Sequence, residues 1–173
     1  QVHMAALIAF YSRADENYFG GDLRYIKVGN TQRAAEMIQE AVGGELFQIR
    51  QQEPYSADYR TCVDQARRDW QEKARPALAA FPESLEGYDD IYLGYPNYCG
   101  DMPMAVYTFL EHFDWSGKRI HPFCTHEGSG LSQTEQDIRK AAPGATVTRG
   151  LAIHGSHVDE AAPALTQWVK EMQ

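Results

Sequence analysis

The run Ala5-Ala6-Leu7-Ile8-Ala9-Phe10-Tyr11 decides the architecture. Seven residues without a charge, closed by Ser12-Arg13, suit a strand buried on both faces, as in a parallel sheet. Farther on, Gly29-Asn30-Thr31 precedes Ala34, Ala35, Met37, Ile38, Ala41 and Val42, which share one face of a 3.6-residue period. A strand, a hydroxyl-bearing loop and a helix N-terminus together can hold a phosphate. The first-turn N–H groups lack partners, and the helix dipole favours an anion. Core packing alone accounts equally well for the helix's apolar face, so a ligand is read from the loop.

At 173 residues the chain suits one domain, expected over residues 4–173. Its 43% hydrophobic and 23% charged residues describe an ordinary globular protein. A net charge of −8, with no basic cluster wider than Arg67-Arg68, argues against nucleic acid as a partner. No stretch reaches the roughly 18 apolar residues of a membrane span. Met4 is the expected initiator, with Gln1 to His3 a vector remnant or a trimmed natural start. Cys62, Cys99 and Cys124 are odd in number and widely spaced, which suits reduced thiols and a cytoplasmic location.

Outward from the first strand, Ala14 to Val28 is an inserted loop at about 14–28, far longer than the usual βα connection of about two to six residues. Its Tyr18, Phe19 and Tyr25 suit a cover over a site or an interface. Glu45 to Arg50 alternates like a second, edge strand. From Asp58, the residues Tyr59, Cys62, Val63, Ala66 and Trp70 make a helical stripe that Pro76 closes. Ile91 to Tyr95 is a third, central strand, followed by the polar and aromatic loop Pro96 to Asp101. Pro103 opens a helix buried through Val106, Phe109, Leu110 and Phe113. Arg119 to Thr125 is a fourth strand, in which Pro122 conflicts with a central position unless a bulge relieves it. After the glycine-rich turn His126 to Gly130, Ser132 and Glu135 have capping-box spacing. Thr146 to Ile153 is a fifth strand, and a last helix starts near Asp159.

Five strands alternating with helices predict an α/β fold with a doubly wound, five-stranded parallel sheet. Ligands in such sheets bind outside the carboxyl ends of the strands, where the strand order reverses. The loops after strands one, three and four are those richest in Ser, Thr, Asn, Gly and Tyr.

In its motifs the chain resembles the flavodoxin-like family, in the branch of small single-domain flavodoxin proteins. The marks are Ile8 to Arg13, Gly29-Asn30-Thr31, Pro54-Tyr55 with Ala57-Asp58-Tyr59, Leu93-Gly94-Tyr95-Pro96, Met102-Pro103, Thr108-Phe109-Leu110 and Pro122 to Gly130. The resemblance implies strand order 2-1-3-4-5 and flavin mononucleotide (FMN) held by three loops. Ser12, Arg13, Asn30 and Thr31 match the phosphate loop, although Val28 stands where the family has a hydroxyl residue before Gly29. Pro96, Asn97, Tyr98 and Gly100 match one ring loop, with Tyr98 the stacking candidate. Thr125, Gly128, Ser129 and Gly130 match the other, with Glu127 adding a negative charge beside the ring. Plain alternatives stand beside these: Thr31 as an N-cap, Ser12 as a strand terminator, Tyr98 as a surface tyrosine.

Other chemistries fit poorly. Ser12, His126 and Glu127 lack the G-x-S-x-G elbow of a hydrolase. Cys99, Cys124, His126 and the pair His154 and His157 match no compact zinc spacing. No G-x-G-x-x-G follows the first strand. The reading is an FMN-binding electron-transfer protein, monomer or homodimer, serving a redox partner protein or a small quinone-like acceptor. The alternatives are an FMN-dependent NAD(P)H:quinone-type reductase and a flavin-free binding or structural domain of the same fold.

Overall fold

The computed structural model describes residues 5–173. In chain order its elements are β1 (Ala5–Phe10), β2 (Asp15–Phe19), β3 (Asp22–Ile26), α1 (Asn30–Val42), β4 (Glu45–Gln48) and α2 (Tyr59–Glu72). There follow β5 (Tyr88–Pro96), α3 (Met104–His112), β6 (Arg119–His126), α4 (Thr134–Ala141), β7 (Thr146–Val147), β8 (Leu151–His154) and α5 (Ala162–Met172). The main sheet runs β4-β1-β5-β6-β7, with β8 also on β6, and every pairing in it is parallel. With β7 and β8 taken as two pieces of the fifth strand, this is the order 2-1-3-4-5.

Period-two alternation sorts the strand side chains into two cores. Leu7, Ala9 and Tyr11 with Ile91, Leu93 and Tyr95 face one layer, where Val106, Phe109 and Leu110 of α3 and Ile138 of α4 cover them. Ile8, Phe10, Tyr92 and Phe123 face the other, against Ala34 and Ile38 of α1 and Leu165, Trp168 and Val169 of α5. Each large apolar side chain buried in this way contributes roughly 1.5–3 kcal/mol. Gly94 leaves room for a neighbouring strand's ring: a Cβ there would lie 2.2 Å from Phe123 Cζ.

Pro122 stands inside β6, opposite Leu93 of β5. On its other side Ile120 pairs with Val147 and Phe123 with Leu151, so the 147–151 segment carries one more residue than the 120–123 segment facing it. The expected bulge is therefore in the neighbouring strand, which breaks into β7 and β8 beside a residue with no N–H to offer it.

Four local expectations change. The 14–28 insertion is an antiparallel hairpin, β2 with β3, turned by Gly20 and Gly21, both at positive φ. The α2 helix stops at Glu72, before Pro76, because Lys73 turns left-handed at φ 52°. Ser132 takes a positive φ and forms no capping box; Glu135 Oε2 instead accepts from Gly150 N–H. Residues Gly155–Glu160 form 3-10 turns ahead of α5, whose Pro163 sits in the first turn. No helix among the described residues is long and apolar enough to cross a membrane.

Candidate functional site

Strand parity builds the first part of the site. Thr125 follows His121 and Phe123 on the α1-facing side of β6, so its side chain meets the first turn of α1. There its hydroxyl and that of Thr31 share a buried hydrogen bond of 2.6 Å. Thr31 is thus not the N-cap; Gly29 holds that place without a side-chain bond. Ser12 Oγ accepts from Gln32 N–H across the loop. The approach is so close that a Cβ on Gly29 would lie 2.2 Å from Ser12 Oγ and 2.6 Å from Arg13 O. Arg33 N–H bonds Gly29 O. The amides of Asn30 and Thr31 are left at the mouth of the helix, where the dipole favours an anion.

The loop after β5 closes in a tight turn. Tyr98 and Asp101 exchange both backbone bonds, and the two residues between, Cys99 and Gly100, have φ of 58° and 73°. Asn97 fastens this turn to the next loop: its amide donates to Gly130 O and Ser132 Oγ, and its oxygen accepts from Gly100 N–H. Tyr98 lies edge-on to Tyr11, ring centres 6.0 Å apart, and its hydroxyl is buried with no hydrogen-bond partner among the described residues. Burial raises that hydroxyl's pKa well above the ordinary tyrosine value.

In the loop after β6, His126 Nδ1 accepts from Gly128 N–H, and Gly128 and Gly130 both have positive φ. Burial first, and the charge on His154 second, lower the pKa of His126, which suits an acceptor nitrogen. Cys124 is buried below the loop, and burial pushes its thiol up to about 12. Glu127 does not stand free beside the site. Its Oε1 accepts from Gly20 N–H at the hairpin tip, and its Oε2 lies 3.0 Å from His154 Nδ1 and 3.2 Å from Ser156 Oγ.

These three loops border one cavity of about 400 Å³. Arg13, Asn30, Thr31, Pro96, Asn97, Tyr98, Thr125 and Ser129 line it; Ser12, Gly100, Gly128 and Gly130 belong to the same loops but are not among the lining residues. The sequence reading missed the far wall, which is Tyr59, Cys62, Val63, Ala66 and Arg67 of α2. All of these but Arg67 belong to the apolar stripe of that helix, and only the topology shows that its first turns front open space. The guanidinium of Arg13 spends three bonds on the carbonyls of Glu16, Ser56 and Ala57, and among the described residues it forms no ion pair.

A family profile described as Flavodoxin matches residues 23–172. The chain belongs to the flavodoxin family. Among solved structures, a Bacteroides uniformis protein assigned as a flavoprotein is 28% identical, covers 96% of this chain and 97% of its own, and superposes with a TM-score of 0.76. A flavoprotein from Lactobacillus acidophilus in complex with FMN is 24% identical, with 91% and 98% of the two chains covered and a TM-score of 0.65. The oxidised flavodoxin 2 of Bacillus cereus shares the fold at 16% identity, with 96% and 99% covered and a TM-score of 0.55. Among curated proteins none matches. As in other flavodoxin-family sheets, the cavity lies at the carboxyl ends of β1 and β5, where the chain steps from one side of β1 to the other.

Proposed function

We propose that the chain binds one FMN in this cavity and passes electrons through it to a redox partner protein or a small acceptor. The observation that carries the reading is the convergence of the loops after β1, β5 and β6 on a single space, with the open end of α1 at one extremity. The residues fit the group. The amides of Asn30 and Thr31, with the one hydroxyl proton that the Thr31–Thr125 bond leaves free, would take the phosphate, and Arg13 adds a positive field. Tyr98, Asn97 and Ser129 would border the ring, and the tight Cys99-Gly100 turn keeps that loop short and stiff. Bound FMN would supply the redox chemistry; the protein supplies the anion site, the enclosure and the local electrostatics. No side chain is asked to move a proton.

Titration of the cofactor-free protein with FMN and with riboflavin tests this. The expected result is stoichiometric quenching of flavin fluorescence and at least about tenfold tighter binding of FMN, since a charge-assisted hydrogen bond is worth about 1.5–3 kcal/mol. Equal affinity for the two flavins overturns the phosphate assignment. One observation favours a second reading, the NAD(P)H:quinone-type reductase. Tyr18, Leu23 and Tyr25 share the hairpin face that lines the cavity through Tyr18 and remain exposed, 68% in the case of Tyr25. Turnover of NADH or NADPH with a quinone separates the reductase from the electron carrier. The cytoplasm is the compartment that suits either reading.

A further inference from the structure

We propose that Glu127 is a positioning residue: it latches the β2–β3 hairpin across the cavity and thereby sets how fast the flavin leaves. The proposal rests on the FMN reading given above. The hairpin is tied down at both ends, on opposite sides of the cavity. At its base, Arg13 donates to Glu16 O and to the carbonyls of Ser56 and Ala57, and Glu16 Oε1 accepts from Tyr59 N–H at the start of α2. At its tip, Gly20 N–H reaches the loop after β6 and bonds Glu127 Oε1. Between these anchors Asn17 and Tyr18 form part of the cavity wall.

The second carboxylate oxygen faces His154 and Ser156, which orient it from the segment leading into α5. Glu127 is half of the tip anchor, because the hairpin makes no other hydrogen bond there among the described residues. A two-stranded hairpin has too little core of its own to hold a fixed position in water, so its placement depends on such end contacts. The sequence-level role for Glu127 was electrostatic, a charge next to the ring. The geometry points to a mechanical one, and the two roles respond differently to substitution. Glutamine keeps an oxygen for Gly20 and an amide for His154 Nδ1 while removing the charge. Alanine removes both.

The test compares wild type, Glu127→Gln and Glu127→Ala by two measurements. The first is hydrogen exchange of the Gly20 amide in the cofactor-free protein. The second is the FMN dissociation rate, followed by fluorescence on dilution of the loaded protein. Expected are protection of Gly20 in wild type and the Gln variant and its loss in the Ala variant. FMN should leave the Ala variant about tenfold faster, the factor set by one charge-assisted hydrogen bond, and leave the Gln variant within about twofold of wild type. A variant with the hairpin shortened should release FMN as fast as Glu127→Ala, and combining the two changes should add nothing further. Equal effects of Gln and Ala, or additive effects of Ala and shortening, overturn the latch. A wild-type chain that takes up no FMN overturns the functional reading and the flavin half of this proposal. Gly20 protection still decides whether the latch itself exists.

Discussion

The hydroxyls of Thr31 and Thr125 meet at 2.6 Å in a buried bond that joins the first turn of α1 to the end of β6. It connects the first and last of the loops around the cavity, residues 94 positions apart. Thr31→Ala should weaken FMN binding by about tenfold and leave riboflavin nearly unaffected. It should also lower the stability of the cofactor-free protein by about 1 kcal/mol, because Thr125 loses its partner. Paired titrations and urea unfolding check the two effects. A loss shared equally by riboflavin would move Thr31 away from the phosphate.

Gly29 is the tightest point of the turn into α1, the proposed phosphate site. In Gly29→Ala the new methyl meets a backbone carbonyl at 2.6 Å as well as the Ser12 hydroxyl, so the loop itself must move. Overpacking of this kind costs about 1–3 kcal/mol, and the shift should displace the Asn30 and Thr31 amides. Denaturant midpoints and FMN affinity should fall together; a stable variant with native affinity would show that the loop yields freely.

Tyr98→Phe has the opposite sign. The tyrosine hydroxyl is buried with no partner among the described residues, so removing it should raise the stability of the cofactor-free protein by about 1 kcal/mol. Calorimetry on the cofactor-free chain measures the shift. Loss of stability would show that the hydroxyl finds a partner in solution.

His121 carries the clearest dependence on pH. Its ring is fully buried between Asp90 and Thr148, and burial first, joined by the charge on Arg119, lowers its pKa despite the opposing Asp90. Folding therefore favours the neutral ring. Its contribution is fully present above the unfolded value of about 6.5 and is lost as pH falls through the lower folded value. Unfolding free energy should drop by up to about 1.4 kcal/mol per pH unit in that window. In His121→Phe the slope should flatten there. The Asp90 carboxyl, held below its ordinary 3.8 first by Arg119, adds a separate loss at lower pH.

The central strands were legible because uncharged runs such as Ala5 to Tyr11 and Ile91 to Tyr95 suit strands covered on both faces, and the three loops by their polar composition, whereas the strand order was implied by the resemblance to flavodoxins. The hairpin was not legible. Its strands, Asp15-Glu-Asn-Tyr-Phe and Asp22-Leu-Arg-Tyr-Ile, pack on no core of their own, so their alternation is weak. Their position comes from Arg13 and Glu127, contacts 3 and 107 residues away from their hairpin partners. The α2 wall was hidden for a different reason: Tyr59, Cys62 and Ala66 carry the same pattern whether they meet a core or a cavity. Glu127 was placed in the right loop, but its hydrogen bonds depend on where the hairpin tip arrives.

The break beside Pro122 has a consequence at the margin of the sheet. The margin there is offered as a two-residue and a four-residue piece separated by a bulge, and the opposite margin, β4, is also four residues long. Unpaired backbone groups on a long, straight edge are a template for other chains. Here neither edge presents such a run, so the sheet resists edge-to-edge growth into aggregates. The proline that looked out of place in the fourth strand thereby protects the strand beyond it.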